Sequence, residues 1–227
     1  MDVPELSAQQ VPQLVHDIET KGFACISNYL RLTDLERMQR FVSGKIAQRE
    51  KEYAHFNGPD AVRGSGLEEL AHSRPFVRLM HDLYQCGTGN TPTEEDFYQV
   101  LRCLAGNSGR RNSLIFHYDS YVLTALVPIL IPQEGRCGDL LMYPNTRRIR
   151  DAYLFNAIDK VLLDNPVTQR VLRACIDRKG IGPLRIKMVP GNIYFFWGYR
   201  SIHTNEPCDA DKIRATALFH YANPHRK

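Results

Sequence analysis

Apolar positions in the first ninety-five residues recur mostly at helical spacing. The run "SAQQVPQLVHDIETKG" opens on Ser7 as a candidate cap and ends at Gly22, where a left-handed stop costs little. A short strand is expected in "FACISNYL". Beyond it Leu35, Met38, Phe41 and Val42 share one helical face, with Thr33 or Asp34 as the start signal. The segment from His55 to Gly66, rich in Gly, Pro, Asp and Asn, reads as a loop. "LEELAHSRPFVRLMHDLYQCG" then predicts another helix or two, broken near Pro75.

The pattern changes near residue 96. "DFYQVLRCLAG", "SLIFHYDSYVLTALVPILIP", "GDLLMYPN", "LRIKMV", "NIYFFWG" and "IRATALFHYANP" are rich in β-branched and aromatic residues, with Gly, Asn or Pro between them. Short strands punctuated this way suggest a sandwich or barrel, and helices first with strands second argue for an α+β layout. One piece breaks the β pattern. Within residues 147–179, Ala152, Phe155, Ile158 and Leu162, and then Val167, Val171 and Ala174, fall at helical spacing, with Asn165-Pro166 as the break. The expectation is one domain over residues 1–227: mainly helical support in 1–95, a β core in 96–227, and a helical insertion at about 147–179.

Composition narrows the function. The 227 residues are 43% hydrophobic and 24% charged, ordinary for a soluble globular chain. A net charge of +4 without a concentrated basic face gives no reason to expect a nucleic-acid partner. The start "MDVPELSAQQ" lacks the basic and apolar regions of a signal peptide. "YVLTALVPILIP" falls short of the roughly 20 apolar residues a membrane helix needs, so no membrane partner is expected. Six cysteines at 25, 86, 103, 137, 175 and 208 form no C-x-x-C pair, which fits reduced thiols and a cytoplasmic protein.

Inside the most apolar stretch stand His117 and Asp119. Burying a carboxylate there is costly unless something compensates its lost hydration. On a strand, residues two apart point to one face, so an H-x-D pair presents an imidazole nitrogen beside a carboxylate oxygen. These suit a divalent first-row metal but make only half a site. Taken alone, the pair reads more readily as a buried, hydrogen-bonded His–Asp contact than as a ligand pair. The tail "PGNIYFFWGYRSIHTNEPCDADKIRATALFHYANP" offers a third ligand in His203. Arg214 follows at the head of another strand, with Thr216 on its face. A guanidinium fork plus a hydroxyl is what a distal carboxylate needs.

Together, His117, Asp119 and His203 make a 2-His-1-carboxylate set. With "HYD", "SIH" and "RAT" in this order, the sequence resembles the Fe(II)/2-oxoglutarate-dependent oxygenases. Within them it is most similar to the phytanoyl-CoA dioxygenase-like group, through "LTDLERMQRFV" and the run from Pro190 to His203. The resemblance departs at "YPNTRR" (143–148), where a turn like "PGSH" is usual, and His220 stands where a nucleic-acid demethylating branch would carry a second arginine.

The resemblance implies a double-stranded β-helix, a jelly-roll or cupin-like barrel. It implies Fe(II) on His117, Asp119 and His203, O2 as co-reactant, and 2-oxoglutarate as cosubstrate with its 5-carboxylate on Arg214 and Thr216. Oxidative decarboxylation would release succinate and CO2, and the oxidant would remove hydrogen from a nearby C–H bond. The presence of Asp119 points to hydroxylation, desaturation or cyclisation instead of halogenation. Candidate substrate residues are Gln99 and Arg102 on the first barrel strand, Tyr121 (with Leu123 expected on the Asp119 side) and His220. Each reads as well as interior packing. Arg147 and Arg148, in the basic insertion, are candidates for an anionic substrate group, with a solvated amphipathic face as the plainer reading. A small-molecule substrate leads. A protein or peptide side chain, or a non-catalytic metal-binding cupin-like module, are the alternatives.

Overall fold

The computed structural model describes residues 1–7, 9–50, 52–92, 96–150 and 153–225. Its N-terminal third forms α1 (Gln10–Lys21), β1 (Ala24–Ile26), α2 (Leu32–Ala47), β2 (Ala54–Asn57), α3 (Leu67–Ala71) and α4 (Arg74–Thr88). There follow β3 (Tyr98–Leu104), α5 (Gly106–Arg111), β4 (Leu123–Leu130), β5 (Leu140–Tyr143), α6 (Tyr153–Asp164) and α7 (Pro166–Ala174). Four strands close the chain: β6 (Leu184–Ile186), β7 (Ile193–Phe196), β8 (Ile202–Asn205) and β9 (Arg214–Tyr221).

Helix α1 ends where the sequence says it should: Gly22 adopts φ 90° and its N–H bonds back to Ile18 O. Its N-cap is Gln9, not Ser7. Helix α2 starts at Leu32, so Thr33 and Asp34 lie inside its first turn, and Leu35, Met38 and Val42 are buried as the spacing predicts. The expected loop from His55 is corrected at its start, because Ala54–Asn57 pair with Val100–Cys103 as an edge strand. In the insertion, Asn165 caps α7 by accepting from Val167 N–H at 2.8 Å, and Pro166 has no backbone donor left to satisfy in the first turn. Ala152 lies outside the described residues.

Among the described residues, nine strands make two antiparallel sheets, β1-β7-β4-β9-β3-β2 and β6-β5-β8. One face of the large sheet (Leu101, Leu123, Ala125, Phe195, Ala217, Phe219) packs on the helices through Ile18, Met38, Phe76, Met80 and Leu83. The opposite face places Leu126, Tyr194, Phe196 and Leu218 against Leu140, Met142, Ile186 and Met188 of the small sheet and its flank. The outcome is three layers: helices, large sheet, small sheet. The described strands form these two separate ladders and not one closed barrel. Among the described residues no helix is long and apolar enough to cross a membrane.

Candidate metal centre

His117 and Asp119 lie on extended but irregular chain between α5 and β4, not inside a strand. A single bridge fastens them to β8: His117 and His203 exchange backbone N–H···O bonds of 3.0 Å each. On either side Leu114 N–H donates to Asn205 O and Asp119 N–H to Gly198 O, both at 3.0 Å. This pairing brings a ligand from the tail beside two ligands from mid-chain. His117 Nε2 lies 3.8 Å and His203 Nε2 3.5 Å from Asp119 Oδ1. One donor atom from each residue lies within 4.8 Å of the others.

Both rings are oriented by the backbone. His117 Nδ1 contacts Ile115 O and His203 Nδ1 contacts Ser201 O, each at 3.0 Å. A carbonyl only accepts, so each Nδ1 carries a proton and each Nε2 is turned to the shared centre. Partial burial, with His203 nearby, pushes the His117 imidazole down to about 4, although the side chain is still 39% exposed. Burial also lowers His203, but the adjoining Asp119 carboxylate outweighs it and holds His203 above its usual value.

Asp119 is 8% exposed. Burial alone would raise its carboxyl, yet His203 and His220 beside it hold it well below the usual range. Its Oδ2 accepts from the Thr124 hydroxyl at 2.6 Å. That hydroxyl has one proton, already given to Asp119, so it accepts from His220 Nδ1 at 3.0 Å. The carboxylate is thus fixed through Oδ2, and Oδ1 is left to the metal side. Gly198 is part of the same fit. A Cβ there would sit 2.5 Å from Thr124 Oγ1 and 2.9 Å from Asp119 Cγ.

Beside this centre runs a narrow cleft lined by Arg102, His117, His203, Thr204, Arg214 and Thr216. Arg214 is 2% exposed. Its Nη1 donates to Thr216 Oγ1 at 3.3 Å, and its Nε has no partner. Burial, then the neighbouring Arg102, pushes the Arg214 guanidinium down to about 10. Arg102 donates from Nη2 to Asn112 O at 2.6 Å, while its Nε is also unpartnered. Among the described residues neither arginine has an ion pair. A cleft with two such guanidiniums is an anion site by its chemistry. Gly138 makes room for one of them: at φ 75°, it passes so close that a Cβ would lie 2.5 Å from Arg214 Cδ.

The register sorts the remaining candidates. Arg102 pairs with Thr216, Leu104 with Arg214 and Tyr98 with His220, so these share the site face of β3 and β9. Gln99 pairs with Phe219 and therefore faces the helices, which corrects its assignment to the substrate side. Leu123 is corrected too. Ser120, Tyr121 and Val122 form a bend that shifts the alternation, so Thr124 faces Asp119 and Leu123 joins the helix-side core. Tyr121 stacks on Tyr98 and His220, with centroids 5.7 and 5.8 Å apart.

Arg147 is not available to a substrate anion. Its guanidinium lies between the Tyr118 and Tyr199 rings, 3.8 and 4.2 Å from their centroids. It donates to Tyr199 O at 2.7 Å, and to Asp159 and Asn156 at 3.0 Å each. Arg148 is exposed. Sequence reasoning missed Thr124, Gly198 and Gly138. Only the glycine beside Trp197 had a local signal, a break at the end of a β-rich run.

Neither a protein-family model nor a curated protein sequence matches the chain. Solved structures do. One is a prolyl hydroxylase from Trichoplax adhaerens, in complex with a hypoxia inducible factor oxygen degradation domain peptide fragment. It has TM-score 0.60 and 15% identity, over 95% of this chain and 91% of that one. A prolyl-4-hydroxylase from Pseudomonas putida gives 0.55 and 12%, over 98% of both chains. The epimerase SnoN, in complex with Fe3+, alpha ketoglutarate and nogalamycin RO, gives 0.57 and 11%, over 96% and 85%. At these identities the likeness is one of fold: this chain shares the mixed helical and antiparallel-sheet architecture of these proteins.

Proposed function

We propose that the chain is a non-haem Fe(II)- and 2-oxoglutarate-dependent dioxygenase, and that its two sheets form the double-stranded β-helix of that superfamily within a single domain. The observation that carries the reading is buried Arg214, without an ion pair among the described residues, in the cleft that His117 and His203 of the His117–Asp119–His203 set also line. A structural His–Asp pair has no need of it. Two imidazole nitrogens and one carboxylate oxygen suit Fe(II), and a guanidinium without an ion pair among the described residues suits the 5-carboxylate of 2-oxoglutarate. When bound, the iron would supply activation of O2 coupled to decarboxylation of 2-oxoglutarate to succinate and CO2.

The protein's own residues have distinct tasks in this reading. Ile115 O and Ser201 O fix the tautomers of His117 and His203, and Thr124 with His220 fixes Asp119. Arg214 and Thr216 would hold the distal carboxylate. Leu126, Leu140, Phe196 and Leu218 line the cleft and exclude water. The cleft encloses ≈ 40 Å³, which is space for about one water. A five-carbon dicarboxylate is larger than that, so the reading requires lining side chains to move when it enters.

The substrate we favour is a small molecule, hydroxylated, desaturated or cyclised, with exposed Arg148 available to an anionic group on it. SnoN's bound nogalamycin supports that choice. Two prolyl hydroxylases of the same fold support the alternative, a protein or peptide side chain. Kinship with the phytanoyl-CoA dioxygenase-like group rests on the run from Pro190 to His203, and a cytoplasmic location on six unpaired cysteines. Anaerobic addition of Fe(II) and 2-oxoglutarate should produce a weak visible charge-transfer band, and air should then produce slow succinate. Failure of the band to form overturns the reading. A band without succinate would identify the non-catalytic metal-binding module.

A further inference from the structure

Helices α6 and α7 are inside out. The side of α6 turned to the protein is mostly polar: Asn156 and Asp159 bind Arg147, and Lys160 Nζ donates to Ser120 Oγ at 2.8 Å. In α7 the buried residue is Gln169, which accepts from Phe116 N–H at 3.0 Å and donates to Phe116 O and Leu163 O at 2.8 and 2.9 Å. Arg173 Nε donates to Leu114 O at 2.9 Å. Polar anchors thus pin both helices along the segment that carries His117 and Asp119.

The apolar residues face away. Leu154, Phe155, Ile158, Val161 and Leu162 follow the helical repeat on the opposite side of α6 and are 45–71% exposed. Val167 and Val171, 64% and 56% exposed, do the same on α7. A solvated helix carries the reverse pattern. Cavities of 350–430 Å³ elsewhere in the molecule are lined by residues outside α6 and α7. At roughly 100 Å² for each of these seven side chains it presents on the order of 700 Å², close to the ~800 Å² one partner contributes to a stable interface and above the ~300–600 Å² of a typical monomer's largest patch.

The geometry points to a second copy of this chain as the partner, the α6–α7 faces meeting about a two-fold axis. A two-fold interface must be self-complementary, and the charges bordering this face have both signs, with Asp164 and Arg170 exposed. Under such an axis Asp164 of one copy can meet Arg170 of the other, and the apolar rows of four helices pack together. A membrane surface would instead require a one-sign basic border, and exposed Asp164 breaks it. The inference does not depend on what the metal centre does.

Sedimentation equilibrium of the full chain at micromolar concentration should give twice the chain mass, and Leu162→Lys with Val161→Glu should return it to the monomer mass with the circular dichroism spectrum kept. Should that variant misfold, hydrogen exchange on the unmodified chain decides. Protection of α6 and α7 should rise with protein concentration while that of α2 stays constant. A wild-type chain that is monomeric with concentration-independent exchange overturns the proposal. So does a monomer that co-sediments with phosphatidylserine vesicles, or a dimer that survives the paired substitution intact.

Discussion

Gly198→Ala is the smallest change that tests how the metal centre is built. Gly198 contributes no side chain and binds nothing through one, so a composition argument assigns it no role. The added methyl would lie 2.5 Å from Thr124 Oγ1, short by 0.9 Å of the 3.4 Å at which ordinary contact begins, and 2.9 Å from Asp119 Cγ. It would lie closer still to Asp119 Oδ2. Gly198 cannot easily retreat, because its carbonyl holds Asp119 N–H at 3.0 Å and the following turn is fixed by Trp197 O. The carboxylate must therefore rotate or withdraw by about half an ångström or more. Overpacking of this kind costs about 1–3 kcal/mol of stability. Losing the Thr124 support is a change to a ligand's outer partner, which typically lowers metal affinity ~10–100-fold. The assay is anaerobic titration with Co(II), read by its visible d–d absorption, alongside thermal unfolding of the metal-free protein. We expect weaker Co(II) binding by that factor and a lower Tm. A Gly198→Ala protein that binds Co(II) as tightly as the parent refutes the reasoning, because the carboxylate would then not be held against Gly198.

Further substitutions separate binding from folding. The drop of the Arg214 guanidinium to about 10 corresponds to roughly 3 kcal/mol against the folded state at neutral pH, a penalty relieved only above pH 10. Arg214→Met should leave the metal-free protein as stable or raise its stability by ~1–3 kcal/mol, while abolishing succinate formation; a clear fall in unfolding midpoint would show that Arg214 is compensated after all. Arg147→Ala should lower stability by ~2–4 kcal/mol, since it strips Asp159 and Asn156 of a buried partner and empties the slot between two aromatic rings. Arg148→Ala should leave the unfolding curve unchanged, and a Tm drop equal to that of Arg147→Ala would reverse this assignment of the pair.

What the sequence made legible was residue type and local periodicity. The α2 stripe of Leu35, Met38 and Val42 reads directly because an amphipathic helix carries its own phase. His117, Asp119, His203 and Arg214 read as a set because few other purposes ask for that combination. Strand phase did not read. Gln99 and Arg102 stand three apart on one strand, so alternation forbids both from facing the site, but only pairing with Phe219 and Thr216 says which does. The bend at Ser120–Val122 then moved Thr124, not Leu123, opposite Asp119. Arg147 was misjudged for a similar reason: Asp159 and Asn156 reach it from α6, a contact no local pattern encodes.

The same distinction explains why the two halves of the site differ energetically. The buried carboxylate of Asp119 is compensated within the chain, by Thr124, His203 and His220, so the metal half is preformed and folding does not wait for an ion. This is unlike small zinc domains, whose ligands have no such support and which unfold without metal. Among the described residues Arg214 has no carboxylate partner, and its burial weighs against the fold until an anion arrives. An anion that pairs with Arg214 relieves that penalty, so binding at this end should stabilise the fold more than its contacts alone suggest. Under the proposed function the metal half would supply geometry and the arginine half affinity, and a dicarboxylate that reaches both is the ligand for which such a division makes sense.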